Sequence, residues 1–341
     1  MRLTLGAPSV PARYRPPVEA SKLGTVRHLA PWGISALALL WVFGRTDWHG
    51  LVAATEGANL PLFLAVVVLD KAVFFLVFAL LQAESIRRFV TPVPRREVLA
   101  VRGASELFRA VNNPLADAAF LLGVGRLAGG RIRPVVAAGL IPFAVHLLVL
   151  LAQASLALPF LPGGPGANRD VAIATAVGWT LVAAVALLFW AGPLRRAPRM
   201  AGALRWLDGI RAAALVPFFA WFAGLAAFDV LIQGLASRSF GIPIPWIDLA
   251  ARIPLLYFAL SLPSVGNFGV REFTWAALFE RHGSEHALFA YAFATNGVFL
   301  LLNVLLGTIF FRRAFELLVE VRRTARSREL PEPLLHDAID P

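Results

Sequence analysis

The chain contains no cysteine, which excludes disulfides, iron–sulfur clusters and thiolate zinc sites as sources of stability or chemistry. Charge is scarce too. Asp, Glu, Lys and Arg make up 16% of the 341 residues, against roughly 25% in soluble domains. There is no P-loop, no G-x-S-x-G elbow and no carboxylate pair in a glycosidase setting. With no nucleophile or metal set in view, the chain is not read as an enzyme, and no cofactor is implied.

What the sequence has in quantity is apolar side chain: 58% of residues are hydrophobic and the mean hydropathy is +0.69. No soluble core of this length absorbs that much, so a polytopic, all-α membrane protein is expected. The net charge of +11 comes from short basic clusters between apolar runs. That is the pattern of cytoplasmic loops facing anionic lipid, and it argues against nucleic acid as a partner. Residues 1–28 hold Arg and Pro but no apolar stretch with a cleavage site, and are expected to be a disordered cytoplasmic arm without a signal peptide. Residues 29–315 read as the membrane domain and 316–341 as a polar cytoplasmic tail.

Six segments approach the roughly 20 apolar residues that a spanning helix needs: about 29–45, 60–82, 134–160, 171–190, 211–236 and 287–312. Two others, about 95–126 and 246–281, each divide into two arms too short to cross. Their breaks fall at Asn112-Asn113-Pro114 and within SLPSVGNFGVRE, residues 261–272. If both segments enter and leave on one side, 24 of the 32 Lys and Arg residues lie inside and five outside, with Lys71, Arg109 and Arg271 at membrane depth. The positive-inside rule favours this re-entrant arrangement, with both termini cytoplasmic. The same order of two crossings, a re-entrant pair and a third crossing then runs twice, about 29–160 and 171–312. The second copy is inverted relative to the first, an architecture of secondary transporters.

Broken backbone at membrane depth needs protein or a water-filled cavity to satisfy it, so the breaks mark a buried polar centre. Asn113 is expected to cap the arm PLADAAFLLGV, with Asp117 near its start. Asn267 is expected to cap FGVREFTWAALFER, with Gly266 and Gly269 permitting the turn. Both helix starts would then aim their positive dipole ends at one region. Arg271 adds a cation that a phosphate or carboxylate would answer, and Arg109 could approach from the other repeat. The alternative is structural: Arg271–Glu272, Arg109–Glu106 and Asp70–Lys71 as ion pairs tying the arms to the bundle. Asp229 and His146 read as proton relays or hydrogen-bonded core residues, and Asn296 and Asn303 as interhelical contacts. His282-Gly-Ser-Glu-His286 fits H-x-x-E-H, but Gly283 and Ser284 place it across a turn, where no metal site forms.

SVGNFGVREFTWAALF resembles the C-terminal signature of the lysylphosphatidylglycerol synthase membrane region, a flippase-like family whose pattern runs GGxGVRE. Gly266, Gly269, Val270, Arg271 and Glu272 match, Asn267 stands at a usual glycine and Phe268 at a usual leucine. NNPLADAAFLLGVGRLAGG resembles the family's N-terminal signature more weakly: Asn113, Pro114 and Asp117 align, while the expected Gly and Arg are missing. The resemblance implies a protein of the cell inner membrane that moves a phospholipid or lipid-linked head group between leaflets. Its partner would be an anionic phospholipid or a polyprenyl-linked lipid, and a homo-oligomer is compatible with it. The namesake proteins carry a soluble aminoacyl transferase domain after the membrane part. This chain is expected to lack it and not to synthesise an aminoacyl lipid. The substrate-binding residues so implied are Arg271, Glu272, Asn267, Gly266, Gly269, Asn113, Arg109, Asp117 and Lys71. A small organic anion transporter and a non-transporting accessory protein in lipid or glycan assembly are the alternatives.

Overall fold

The computed structural model describes residues 55–111, 113–163, 168–190, 210–261 and 267–329. Among them, from Leu60 on, lie nine α-helices and no strand: α1 (Leu60–Phe89), α2 (Arg95–Arg109), α3 (Asn113–Leu127), α4 (Ile132–Ala157), α5 (Arg169–Trp190), α6 (Val216–Ser239), α7 (Trp246–Leu260), α8 (Val270–Phe279) and α9 (Glu285–Glu329). Five of these, α1, α4, α5, α6 and α9, are long and apolar enough to cross a membrane. They coincide with five of the expected crossings; the sixth, about 29–45, the expected N-terminal arm 1–28 and residues 330–341 of the expected tail lie outside the described residues.

The two interrupted segments fold as pairs of short helices. α2 packs on α3, and α7 on α8. At 15 residues, α2, α3 and α7 are each about 22 Å long, short of a roughly 30 Å hydrocarbon core, and the 10-residue α8 is shorter still. α9 departs from expectation. It runs on past Phe315 to Glu329, so the segment read as a polar tail begins as helix. No Gly or Pro falls between Thr308 and Leu330, and Arg312 donates to Glu316 one turn on at 3.0 Å, so nothing in the sequence ends the helix there.

Local chemistry sets the other ends. Asn59 caps α1, its Oδ1 accepting from the Leu62 N–H at 3.1 Å, while Arg87 and Arg88 sit favourably in the last turn. Two of the helices carry an internal proline, Pro142 in α4 and Pro254 in α7. Each proline lacks the N–H that would bond four residues back, freeing the carbonyls of Ala138 and Ala250. A neighbouring helix answers each one. Ser85 Oγ of α1 donates to the Ala138 carbonyl at 2.6 Å, and Gln153 Nε2 of α4 donates to the Ala250 carbonyl at 2.8 Å. The prolines thereby create the polar contacts that tie α1 to α4 and α4 to α7.

The closest packing is between α2 and α9. A Cβ at Gly103 would run into the Phe310 side chain, and one at Gly307 into Leu107, so the two glycines let the helices approach face to face. One apolar cluster gathers Phe63, Leu249, Trp275 and Tyr291; another gathers Ile86, Val98, Phe120 and Val135. α1 enters both. Asp70 and Lys71 lie between them, about 15 Å from the start of α1, close to half the thickness of a bilayer core. Outward faces remain apolar, with Leu181, Val185 and Leu187 of α5 more than half exposed, a surface suited to lipid.

Candidate functional site

The two breaks meet. Asn113 Nδ2, at the start of α3, donates to Asn267 Oδ1, just ahead of α8, at 3.0 Å across 154 residues of sequence. Neither asparagine caps its helix as expected. Asn113 is itself the first residue of α3, and its side chain reaches across to the other break. Asn267 sits in a turn at φ 64°, a left-handed backbone that Asn tolerates better than most residues, and the cap position of α8 falls to Gly269 at φ 81°. Gly266 lies outside the described residues.

The Arg271–Glu272 doublet is split. Glu272 is fully buried and accepts from the Gly269 N–H at 2.7 Å and from Asn296 Nδ2 at 3.3 Å, closing the first turn of α8 and fastening it to α9. Adjacent helical residues diverge by about 100°, and Arg271 accordingly points elsewhere. It is 6% exposed, lies over the Phe299 ring at 5.1 Å, and makes no hydrogen bond or ion pair among the described residues; its Nε is sealed from solvent without an acceptor. The expected Arg271–Glu272 pair does not form, and Glu272 holds the helix start while the Arg271 guanidinium makes no ion pair among the described residues.

Around the first break the charges are answered. Lys71 Nζ is 2.7 Å from Glu106, Arg109 bonds Glu106 at 2.9 Å and Asp117 at 2.8 Å, and Arg102 bonds Asp117 at 2.8 Å. Arg109 also donates to Asn113 Oδ1 at 3.3 Å, which couples this cluster to the break. Three cations share two carboxylates, leaving one positive charge in excess. Lys71 therefore pairs with α2, and the Asp70–Lys71 pair read from the sequence is replaced; as neighbours on one helix the two side chains diverge.

A cavity of about 380 Å³ opens onto this centre. Of the residues implied by the sequence, Lys71, Arg109, Asn113, Asp117, Asn267 and Arg271 line it, while Glu272 and Gly269 lie behind it. Arg102, Glu106 and Asn303 also line it: the sequence offers Glu106 as a partner of Arg109 and Asn303 as an interhelical contact, and leaves Arg102 unread. Arg102, Glu106 and Arg109 recur at i, i+4 and i+7, one face of α2, and that spacing is the signal for this wall in the sequence. Asn296 holds Glu272, as an interhelical contact should, whereas Asn303 Oδ1 has no partner. His146 is an aromatic-packed wall residue, its ring 5.0 Å from that of Phe222 and 5.7 Å from that of Tyr257. Asp229 is buried in α6 and accepts from Gln233 at 3.3 Å, a hydrogen-bonded core residue.

Arg252, one of the five Lys and Arg residues that the re-entrant arrangement leaves outside, is buried. It bonds Asp170 at 2.6 Å and Asn168 at 3.0 Å and approaches Asp248 at 3.6 Å, tying α7 to the start of α5. His282 lies 3.7 Å from Asp248 in the turn between α8 and α9, so the H-x-x-E-H string does cross a turn. Among the described residues no group of His, Cys, Asp and Glu could hold a metal ion. No family model matches the chain, and no curated protein or solved structure matches it.

Proposed function

We propose that this chain is a lipid translocase of the inner, cytoplasmic membrane, moving a phospholipid or lipid-linked head group between leaflets. The observation that carries this reading is Arg271, a buried cation that makes no side-chain hydrogen bond or ion pair among the described residues, facing a cavity where two interrupted helices meet. A charge at the bilayer centre costs about 2.5–3.5 kcal/mol even on the lenient insertion scale, and a bound anion offsets that cost. The starts of α3 and α8 add their positive dipole ends. The family resemblance carried by Gly269, Val270, Arg271 and Glu272 points the same way.

In this reading both helical pairs are re-entrant, both termini are cytoplasmic, and six crossings with two hairpins form an inverted repeat. The phosphate rests on Arg271 while the tails stay in the bilayer, and rocking of one repeat against the other alternates access. A cavity of about 380 Å³ also fits a small organic anion, the second reading. Reconstitution into proteoliposomes tests both. Labelled anionic, zwitterionic and polyprenyl lipids should cross faster than in empty vesicles, and Arg271→Ala should abolish the gain. Rates equal to empty vesicles for all three lipids would end the translocase reading, and uptake of a soluble anion in their place would support the second.

A further inference from the structure

Arg271 has a counterpart of opposite sign. Asp70 of α1 is 3% exposed, lines the same cavity and accepts no hydrogen bond among the described residues; its Oδ1 is sealed from solvent. The two form no ion pair with each other, and Lys71, the sequence neighbour of Asp70, is turned to Glu106. The surrounding cluster has paired its own groups, whereas Arg271 Nε and Asp70 Oδ1 lack partners, as does Oδ2 of the buried Asp229. The wall near Asp70 is aromatic: the Phe74 and Tyr257 rings stack at 6.2 Å, and both line the cavity, as does Asn303 with its unpartnered amide oxygen.

An unanswered guanidinium suits a phosphate. A carboxyl group with an unpartnered oxygen, in a cavity that also presents ring faces and an idle amide oxygen, suits a cation that donates N–H. We propose that the ligand carries both: a phosphate for Arg271 and a protonated primary amine for Asp70, the chemistry of an ethanolamine-type phospholipid head group. A purely anionic head group leaves Asp70 unpaired and facing like charge. A choline head group brings a cation with no N–H for Asp70 or Asn303. The inference rests on the translocase reading and narrows its substrate, with the same chemistry also present in free O-phosphoethanolamine.

The test is a lipid competition on delipidated full-length protein. It is incubated with equimolar phosphatidylethanolamine, phosphatidylcholine and phosphatidylglycerol, and bound lipid is read by native mass spectrometry. Thermal shift with O-phosphoethanolamine and with glycerol 3-phosphate forms the soluble arm. The ethanolamine lipid should be retained about tenfold over the other two. Asp70→Asn should erase that preference while keeping binding of the glycerol lipid, Asp70→Glu should restore part of it, and Arg271→Gln should lose all three lipids. Equal retention by the wild type, a preference for the glycerol lipid, or an ethanolamine preference that survives Asp70→Asn would overturn the inference. The wild-type comparison decides even where the variant fails to fold. Transport of phosphatidylglycerol without amine preference would sink this inference and spare translocation. Binding of soluble O-phosphoethanolamine but of no lipid would keep the head-group chemistry and sink the translocase.

Discussion

Arg271 and Arg109 are both arginines on the wall of one cavity, but their energetics differ because one has partners and the other has none. Arg109 lies within 2.9 Å of two carboxylates, so Arg109→Ala removes the cation that bridges Glu106 and Asp117 and leaves them to Lys71 and Arg102. Losing these buried, charge-assisted hydrogen bonds costs about 1.5–3 kcal/mol. The Arg271 side chain lies over a ring face and makes no hydrogen bond or ion pair among the described residues. Arg271→Met keeps the apolar volume and removes an uncompensated charge, and should hold or raise the melting temperature in detergent while eliminating transport. Thermal unfolding of the two variants side by side checks this. A drop with Arg271→Met as large as that with Arg109→Ala would mean that Arg271 is a structural residue after all. Glu272 belongs with Arg109 in this contrast, since its carboxylate closes the first turn of α8 and accepts from α9.

The helices that the sequence announced most clearly were those whose apolar runs needed no partner to be recognised, such as α1 and α5. The interruptions at Asn112–Pro114 and before Val270 were legible as well, because Pro, Gly and Asn clusters have a local backbone meaning. What local chemistry could not supply was the identity of the partners. Nothing near Pro142 or Pro254 says that Ser85 and Gln153 will reach their freed carbonyls, since those donors are 53 and 97 residues away from the groups they serve. The same holds for Arg252, whose burial depends on Asp170, 82 residues away. This gives a cycle at the scale of the helix. Gln153→Ala should cost about 1–3 kcal/mol by leaving the Ala250 carbonyl unsatisfied. Pro254→Ala returns an N–H to that carbonyl, so adding it to Gln153→Ala should recover most of the loss. Denaturation of the two single variants and the double variant measures the coupling, and strict additivity would show that the carbonyl finds another donor.

At the scale of the whole molecule, the placement of the site follows from where interrupted helices can be tolerated. Free backbone groups are excluded from lipid and must turn inward, so two breaks in one bundle are driven toward the same interior space. There the Asn113–Asn267 contact joins them, and the charges at 70, 71, 109 and 271 gather around it. The proposed orientation of α2 and α3 makes a prediction that depends on no activity. If this pair enters and leaves on one side, its ends near Arg95 and Arg131 face the same compartment. If it crossed, they would face opposite ones. The absence of native cysteine makes single-cysteine labelling clean. Arg95→Cys and Arg131→Cys should both resist an impermeant maleimide added outside intact cells and react once the membrane is opened. Arg238→Cys and Ser284→Cys, flanking α7 and α8, should both react from outside. Labelling of Arg95→Cys and Arg131→Cys from opposite sides would dismantle the re-entrant pair and the inverted repeat built on it. Arg271 would then need a different route to the middle of the membrane.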